Sequence, residues 1–440
     1  LVDTLGDVRN NGTMTFTNQG SGTKLALNGD VTNNGNLVVT NSTGANGLLV
    51  GGNVTNNTGT ATFTNNKGLF TVANGGKVTS NGTSLTMTNN STGSGITIAG
   101  NVNNNTGKIT VTNHGGKLLI DSTGVVKNAG SSILVQNDAA GGMDIKGKVQ
   151  NTNASAAVNF KNSNSNMTIG HANVDNNIDS NAKVNIAVTN CNLLNNGVNK
   201  TLIRTTNGAN LDVNVSNGRI GTEVGPCADG VCTGIGSTAR DLTKSVNTQI
   251  AGNIKAISTK GTNTSLINMA SSGTDMRVDQ IKADGRVILL ADGATKQAGA
   301  YDIVNRAADK NKPNVEGTSI SLIASGKIGE TGEALTFRQN GVSPIFTGDD
   351  ARNPHILDPE RKPTQGVDML AVGDINVKGL DDGNNKVNTN VCAMISRTGN
   401  VNAEFSGDTY IDEVTANKEI NITTRGKNLY INHLGETAKY

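Results

Sequence analysis

Gly29-Asp30-Val31-Thr32-Asn33-Asn34-Gly35-Asn36-Leu37-Val38-Val39-Thr40-Asn41 is followed, 23 and 24 residues later, by a close copy ending in Ala61-Thr62-Phe63-Thr64-Asn65. The leading valine recurs at Val8, Val31, Val54, Val78, Val102, Val126, Val149 and Val174. The intervals are 23, 23, 24, 24, 24, 23 and 25 residues. A constant period of this size is the mark of a stacked-repeat architecture, in which each unit is too small to bury its own apolar face and leans on the next.

Three strand-like runs fit into one period. The first is Gly-x-Val-x-Asn-Asn. The second alternates apolar residues with Thr, as in Lys108-Ile109-Thr110-Val111-Thr112-Asn113. The third is a shorter alternation such as Lys24-Leu25-Ala26-Leu27 or Gly95-Ile96-Thr97-Ile98. Alternation turns one side chain inward and its neighbour outward, as in a half-buried strand. Gly and Asn between the runs supply the backbone conformations that sharp corners require. Apolar residues do not recur at i, i+3, i+4, so helical repeats are set aside. The expected fold is all-β: a right-handed parallel β-helix with three short strands per coil of about 23–24 residues.

Aligned coil by coil, the second run gives inward columns Met14/Phe16, Leu37/Val39, Ala61/Phe63, Leu85/Met87, Ile109/Val111 and Ile133/Val135. The corner that follows reads Asn18, Asn41, Asn65, Asn89, Asn113, Asn137 without a break. A second column reads Asn10, Asn33, Asn56, Ser80, Asn104, Asn128, Asn151, Asn176. Stacked amides can donate and accept along the axis, adding a side-chain ladder to the main-chain one. Such ladders allow a chain with only 35% hydrophobic residues, 2% aromatics and no Trp to be ordered.

Net charge is +2, which gives no electrostatic basis for binding nucleic acid or an anionic membrane. No apolar run is long enough for a transmembrane helix. Leu1 begins within the repeat pattern with no signal peptide, as expected of a processed or truncated piece. Only 20 of the 72 charged residues fall in the first 200. The organisation expected is regular Asn/Thr/Gly-rich coils over 1–190, then a less regular, more charged continuation over 191–440. Loop insertions are expected at about 227–243, 299–314 and 339–366, with a short helix around Tyr301–Ala308 in the second. Insertions at repeat edges project from one face and are where recognition concentrates, although tolerated surface loops have the same signature.

Chemistry-bearing residues are sparse. Cys227 and Cys232 flank a Pro/Gly-containing loop; they suit a disulfide-closed turn in an oxidising compartment and equally suit free thiols, while Cys191 and Cys392 stand apart. Asp349-Asp350, Asp381-Asp382 and Asp412-Glu413 are the carboxylate pairs that a glycosidase would need, none with an evident aromatic platform. Each pair is also an ordinary solvated turn or strand end. His114, His171, His355 and His433 are widely separated, and Asp381-Asp382-Gly383-Asn384 reads as a turn before it reads as a calcium loop, so no metal or cofactor is expected. Thr15/Thr17, Thr62/Thr64, Thr86/Thr88 and Thr110/Thr112 form a grid of the kind seen in ice-binding β-helices, interrupted by Val38, Leu134 and Gln136. Threonine is also simply a good outward strand residue.

The Gly-x-Val-x-Asn-Asn corner with Val-Thr-Asn, and later lines such as Ser319-Ile320-Ser321-Leu322-Ile323-Ala324-Ser325-Gly326-Lys327-Ile328-Gly329, resemble the central repeats of filamentous-haemagglutinin-like exoproteins. The nearest flavour is that of the leukotoxin-like filamentous adhesins of anaerobic bacteria with an outer membrane. The resemblance implies right-handed β-helical rods, exported by two-partner secretion through an outer-membrane barrel transporter and acting as adhesins or toxin-carrying stalks. The Asn-Pro-Asn-type motif of their secretion domain is not found, Asn353-Pro354-His355 being far from the N-terminus.

The function expected is thus a non-catalytic structural and adhesive rod. It would be extracellular or on a bacterial cell surface, would bind a host or bacterial receptor or glycan, and would be able to stack end to end through open strand edges. The alternatives are a polysaccharide-degrading β-helix enzyme or tailspike-like depolymerase, and an ice-binding β-helix.

Overall fold

A computed structural model describes residues 2–223, 241–260, 265–291, 301–340, 366–381, 389–425 and 428–436. They form parallel strands stacked as a β-solenoid, with no helix among them. No described helix is therefore long and apolar enough to cross a membrane. The chain divides into two compact units, Leu1–Gly218 and Arg219–Tyr440.

In the first unit each coil carries three strands, and every strand pairs in parallel with its counterpart one coil on. The valine strands run from Val8–Asn10 to Ile203–Thr205, and the threonine strands from Met14–Asn18 to Leu211–Ser216. The short strands build a nine-stranded sheet from Val2–Thr4 to Leu193–Asn195. Register is kept residue for residue: Ser84–Asn89 faces Lys108–Asn113 with Leu85 on Ile109, Met87 on Val111 and Asn89 on Asn113. The inward columns are fully buried, among them Leu37, Val39, Phe63, Leu85, Met87, Ile109 and Val111. Each such side chain contributes about 1.5–3 kcal/mol through burial. Phe63 and Phe70, on different faces of the interior, meet with ring centroids 6.3 Å apart.

Two details differ from the sequence expectation. Val149 is paired with Ile178, not Val174. The backbone folds into a small turn at His171–Val174, where Val174 N–H donates to His171 O at 3.0 Å, so the next inward position arrives four residues later. Ser180, not Asn176, therefore faces Asn151. The three-strand coils of this unit run to Ser216.

The second unit winds differently. Its described residues form two sheets. Thr389–Ser396, Thr409–Ala416 and Leu429–Glu436 stack in one, and Ile375–Gly379, Val401–Phe405 and Ile420–Thr424 in the other. Thr409 lies on Thr389 and Leu429 on Thr409, so these coils take 20 residues without the third short strand. Each coil here is built from one strand of eight residues and one of five, where a first-unit coil such as Phe70–Asn89 uses strands of three, four and six. The interior holds Met276, Ile303, Ile328, Leu335, Phe337, Ile375 and Phe405, with Phe337 edge-on to Phe405 at 6.3 Å.

One sheet of this unit is apolar on its outer face as well. Ala270, Leu290, Ile323 and Leu370 form a buried row there, against Leu242 and Ile395. Strands buried on both faces read as near-continuous apolar runs, and Arg286-Val287-Ile288-Leu289-Leu290-Ala291 is one.

The helix expected at Tyr301–Ala308 is not formed. Ile303–Asn305 is a strand, set on Met276–Val278. Fully buried Ile303 and β-branched Val304 suit a pleated surface better than a helix. An excursion does leave the coil here, over Arg306–Asn314, before pairing resumes at Val315. Most of the insertions at 227–243 and 339–366, including Cys227, Cys232, Asp349, Asp350 and His355, lies outside the described residues.

Candidate functional site

The conspicuous repeated residue of the first unit is spent on the fold. Asn18 Nδ2 donates to Asn41 Oδ1 at 2.9 Å; the same bond links Asn41 to Asn65, Asn65 to Asn89, Asn89 to Asn113 and Asn113 to Asn137 at 2.8–2.9 Å. Asn137 continues to Asn162 at 3.0 Å. Each amide also ties its own corner, as Asn65 does by donating to Gly68 O at 2.7 Å. The row ends where Asn162 Nδ2 meets the buried Cys191 thiol at 3.7 Å. Burial raises that thiol's pKa, and Cys191 donates to Thr189 O at 3.1 Å, so it stands as a neutral packing group.

The second asparagine column is shorter than its sequence suggests. Asn10, Asn33 and Asn56 are linked at 2.8 and 2.9 Å. Beyond Ser80 the amides turn back on their own corners: Asn104 Oδ1 accepts from Thr106 and Gly107 N–H, and Asn128 Oδ1 from Gly130 N–H. A hydroxyl is too short to pass the bond along, and the column does not restart.

The neighbouring asparagines, exposed at 11, 34 and 105 and half-buried at 57 and 81, form a ladder running the opposite way. Asn34 donates to Asn11, Asn57 to Asn34, Asn81 to Asn57 and Asn105 to Asn81, at 2.6–3.2 Å. The doubled Asn-Asn thus encodes two ladders, one inward and one outward.

On the outward side of the threonine strands, Thr62/Thr64, Thr86/Thr88 and Thr110/Thr112 stand in register and half-buried. Val38 lies on Thr15 and Leu134 on Thr110, so three successive full ranks are the extent of the grid.

Of the three carboxylate pairs, only Asp412-Glu413 is wholly described. Asp381 N–H donates to Ser406 Oγ at 2.8 Å, while Asp382, Gly383 and Asn384 lie outside the described residues. Asp412 Oδ1 accepts from Tyr410 at 3.4 Å and Glu413 Oε1 from Thr415 at 3.3 Å. Tyr410 is only 7% exposed, too deep to stack on a sugar. Burial and the adjacent Asp412 push its phenol up to about 12. His114 pairs with Asp138 at 3.2 Å, and His171 Nδ1 accepts Asn173 N–H. Among the described residues no three His, Cys, Asp or Glu side chains converge as a metal site would require.

What the sequence did not disclose is how the excursions of the second unit are fixed. Asn314 Nδ2 donates to Asn305 Oδ1 at 2.9 Å and to Val278 O at 3.0 Å, closing the base of the Arg306–Asn314 excursion. On the next coil, Gly329–Ala334 makes a tight turn in which Glu330 and Glu333 exchange backbone bonds and Gly332 has φ +82°. Asn305 Nδ2 reaches Ala334 O at 2.9 Å. Arg306 joins the two: its guanidinium lies 2.7 Å from Glu330 and 3.7 Å from Glu333, and Lys310 is 3.8 Å from Glu333. The Arg306 hydrogen bond holds the Glu330 carboxyl below the usual glutamate range. Residues 308–312, at the tip, are exposed.

The same unit holds a column of strand-leading residues that cap the following coil. Asp275 Oδ1 accepts Asp302 N–H, Asp302 Oδ1 accepts Lys327 N–H, Asp374 Oδ1 accepts Asn400 N–H and Asn400 Oδ1 accepts Glu419 N–H, at 2.6–3.1 Å. Burial raises the Asp302 pKa, and the Lys327 N–H opposes that rise. Residues 19–27 apart in sequence make each contact, so no short motif signals it.

Comparison with family models, with curated proteins and with solved structures finds no match to the chain.

Proposed function

We propose that this chain is a non-catalytic structural and adhesive β-solenoid, secreted or displayed on a bacterial surface, whose excursions present the binding surface. The observation that carries this reading is the double fixation of the Arg306–Asn314 and Gly329–Ala334 excursions. An amide clamp closes the first, an arginine bridges it to the second, and an exposed tip over 308–312 is left that carries Lys310 and Lys312. A loop held in one conformation loses less entropy when a partner docks. The polar repeat of the first unit, by contrast, satisfies itself and serves as scaffold. The likeness to filamentous-haemagglutinin-like repeats supports the surface location and a receptor or glycan as partner.

The test is replacement of Ala308–Lys312 by a Gly/Ser segment of equal length, with Asn305 and Asn314 kept. Labelled protein is then applied to host and bacterial cells and to a glycan array. Selective loss of binding with an unchanged circular dichroism spectrum is the expected result. Undiminished binding, or none by the unaltered protein, would remove this role.

Ice binding is the second reading, favoured by the three threonine ranks in register. It requires thermal hysteresis that Thr86→Tyr abolishes.

A further inference from the structure

The outward asparagine ladder carries a chemical liability, imposed at two of its rungs by the close stacking of coils. Asn11, Asn34 and Asn81 are each followed by glycine. Glycine is demanded at 35 and 82 by the neighbouring coil: a Cβ would lie 2.3 Å from Gly12 O at Gly35 and 2.0 Å from Gly59 O at Gly82. Close stacking of corners therefore forces the Asn34-Gly35 and Asn81-Gly82 pairs, whereas Gly12 has open space around it; in all three pairs no side chain hinders approach of the following amide nitrogen to the asparagine Cγ.

We propose that Asn34 and Asn11 are sites of spontaneous deamidation, which converts this neutral edge of the solenoid into an acidic one. In the step at Asn34, the Gly35 amide nitrogen, having lost its proton to solvent base, attacks Asn34 Cγ. The new N–Cγ bond closes a five-membered ring, and the Cγ–Nδ2 bond breaks as ammonia leaves with a proton from water. Water then opens the succinimide at either carbonyl, giving aspartate or isoaspartate without any redox change. The ladder assists, because Asn57 Nδ2 donates to Asn34 Oδ1 at 2.7 Å and stabilises the oxyanion formed at Cγ. Asn34 plays the same part for Asn11 at 2.6 Å. Both residues are exposed to the water and base that the steps consume.

Asn81 is the internal comparison. It has the same Asn-Gly sequence and receives Asn105 Nδ2 at 2.7 Å, but Gly82 is buried and its N–H is engaged by Ser80 Oγ at 3.2 Å. Its nucleophile is occupied, so its conversion is slow. Exposed Asn53, followed by Val54, supplies the comparison for a hindered nucleophile.

The experiment incubates the folded full chain at mildly alkaline pH and maps peptides by mass spectrometry over weeks. Each converted residue gains about one mass unit in ordinary water and about three in oxygen-18 water. The expected order is Asn34 and Asn11 several times faster than Asn81 and Asn53, with Asn41, Asn65 and Asn89 unchanged. Ser80→Ala, which frees Gly82 N–H, should speed Asn81, and Asn34→Gln should abolish conversion at 34. Equal rates at Asn34, Asn81 and Asn53, or no conversion at Asn34, would overturn the proposal.

Discussion

Replacing Asn65 by Ala removes an inner rung of the buried ladder. Asn65 accepts from Asn41 at 2.8 Å and donates to Gly68 O at 2.7 Å and Asn89 Oδ1 at 2.8 Å. Asn41 Nδ2 retains Gly44 O and Lys67 O as acceptors, so the donor side is satisfied after the change. Asn89 Oδ1 is left buried without that donor, which costs about 1–3 kcal/mol, and water partly compensates the half-buried Gly68 O. With the small void added, the expected loss is about 2–4 kcal/mol. Asn66→Ala, one residue on, removes a bond from Asn90 on the solvent side and should stay within about 0.5 kcal/mol. Urea unfolding followed by circular dichroism measures the difference. Hydrogen exchange should show it concentrated in Ala61–Asn65 and Ser84–Asn89, because a solenoid transmits stability mainly between neighbouring coils. Asn65→Ala with Asn89→Ala should cost less than the two separately, since the orphaned oxygen is then gone. Equal effects of Asn65→Ala and Asn66→Ala, or strict additivity in the double variant, would refute the ladder as a source of stability.

Phe337→Ala removes one ring of the edge-on pair with Phe405 and should cost about 3–5 kcal/mol in the same urea assay. Gly35→Ala forces a Cβ to 2.3 Å from Gly12 O and should destabilise by more than Gly75→Ala, whose position has φ +89° and open space, a penalty of about 1 kcal/mol. Glu330 has its pKa lowered by Arg306, so its contribution is complete above the ordinary glutamate range and fades as pH falls through its depressed value. Glu330→Gln should flatten that part of the acid-unfolding profile, read by circular dichroism. Tyr410, held neutral up to about 12, contributes stability that declines as pH rises above the ordinary tyrosine value. Absorbance titration should show a phenol ionising at about 12, and Tyr410→Phe should remove that step.

The coil was legible in the residues because its determinants are local and repeated. Alternation in Lys108–Asn113 assigns inside and outside to every side chain, and the constant interval places identical side chains above one another. The unbroken run from Asn18 to Asn137 follows from those two facts. The second column was legible only as far as Asn56, since whether an amide bonds up the axis or back to its own corner depends on side-chain rotamers that Asn33 and Asn104 do not reveal. The candidate recognition surface was legible as an interruption between 299 and 314 and no further. Its clamp joins Asn305 to Asn314 and to Ala334, and its bridge joins Arg306 to Glu330, contacts spanning 9, 29 and 24 residues with no periodic signal.

The amino-acid order alone determined that backbone coils stack in parallel, which side chains fill the interior, and where glycine and asparagine turn the corners, because each is set within one period of the chain. Tertiary structure decided the rest: the loss of the third short strand in the coils that start at Thr389 and Thr409, the outer apolar row from Ala270 to Leu370, the strand at Ile303–Asn305, and the fixing of two excursions against each other. Those outcomes depend on which residues of adjacent coils meet once insertions have shifted the count, a relation that exists only after the coils are stacked.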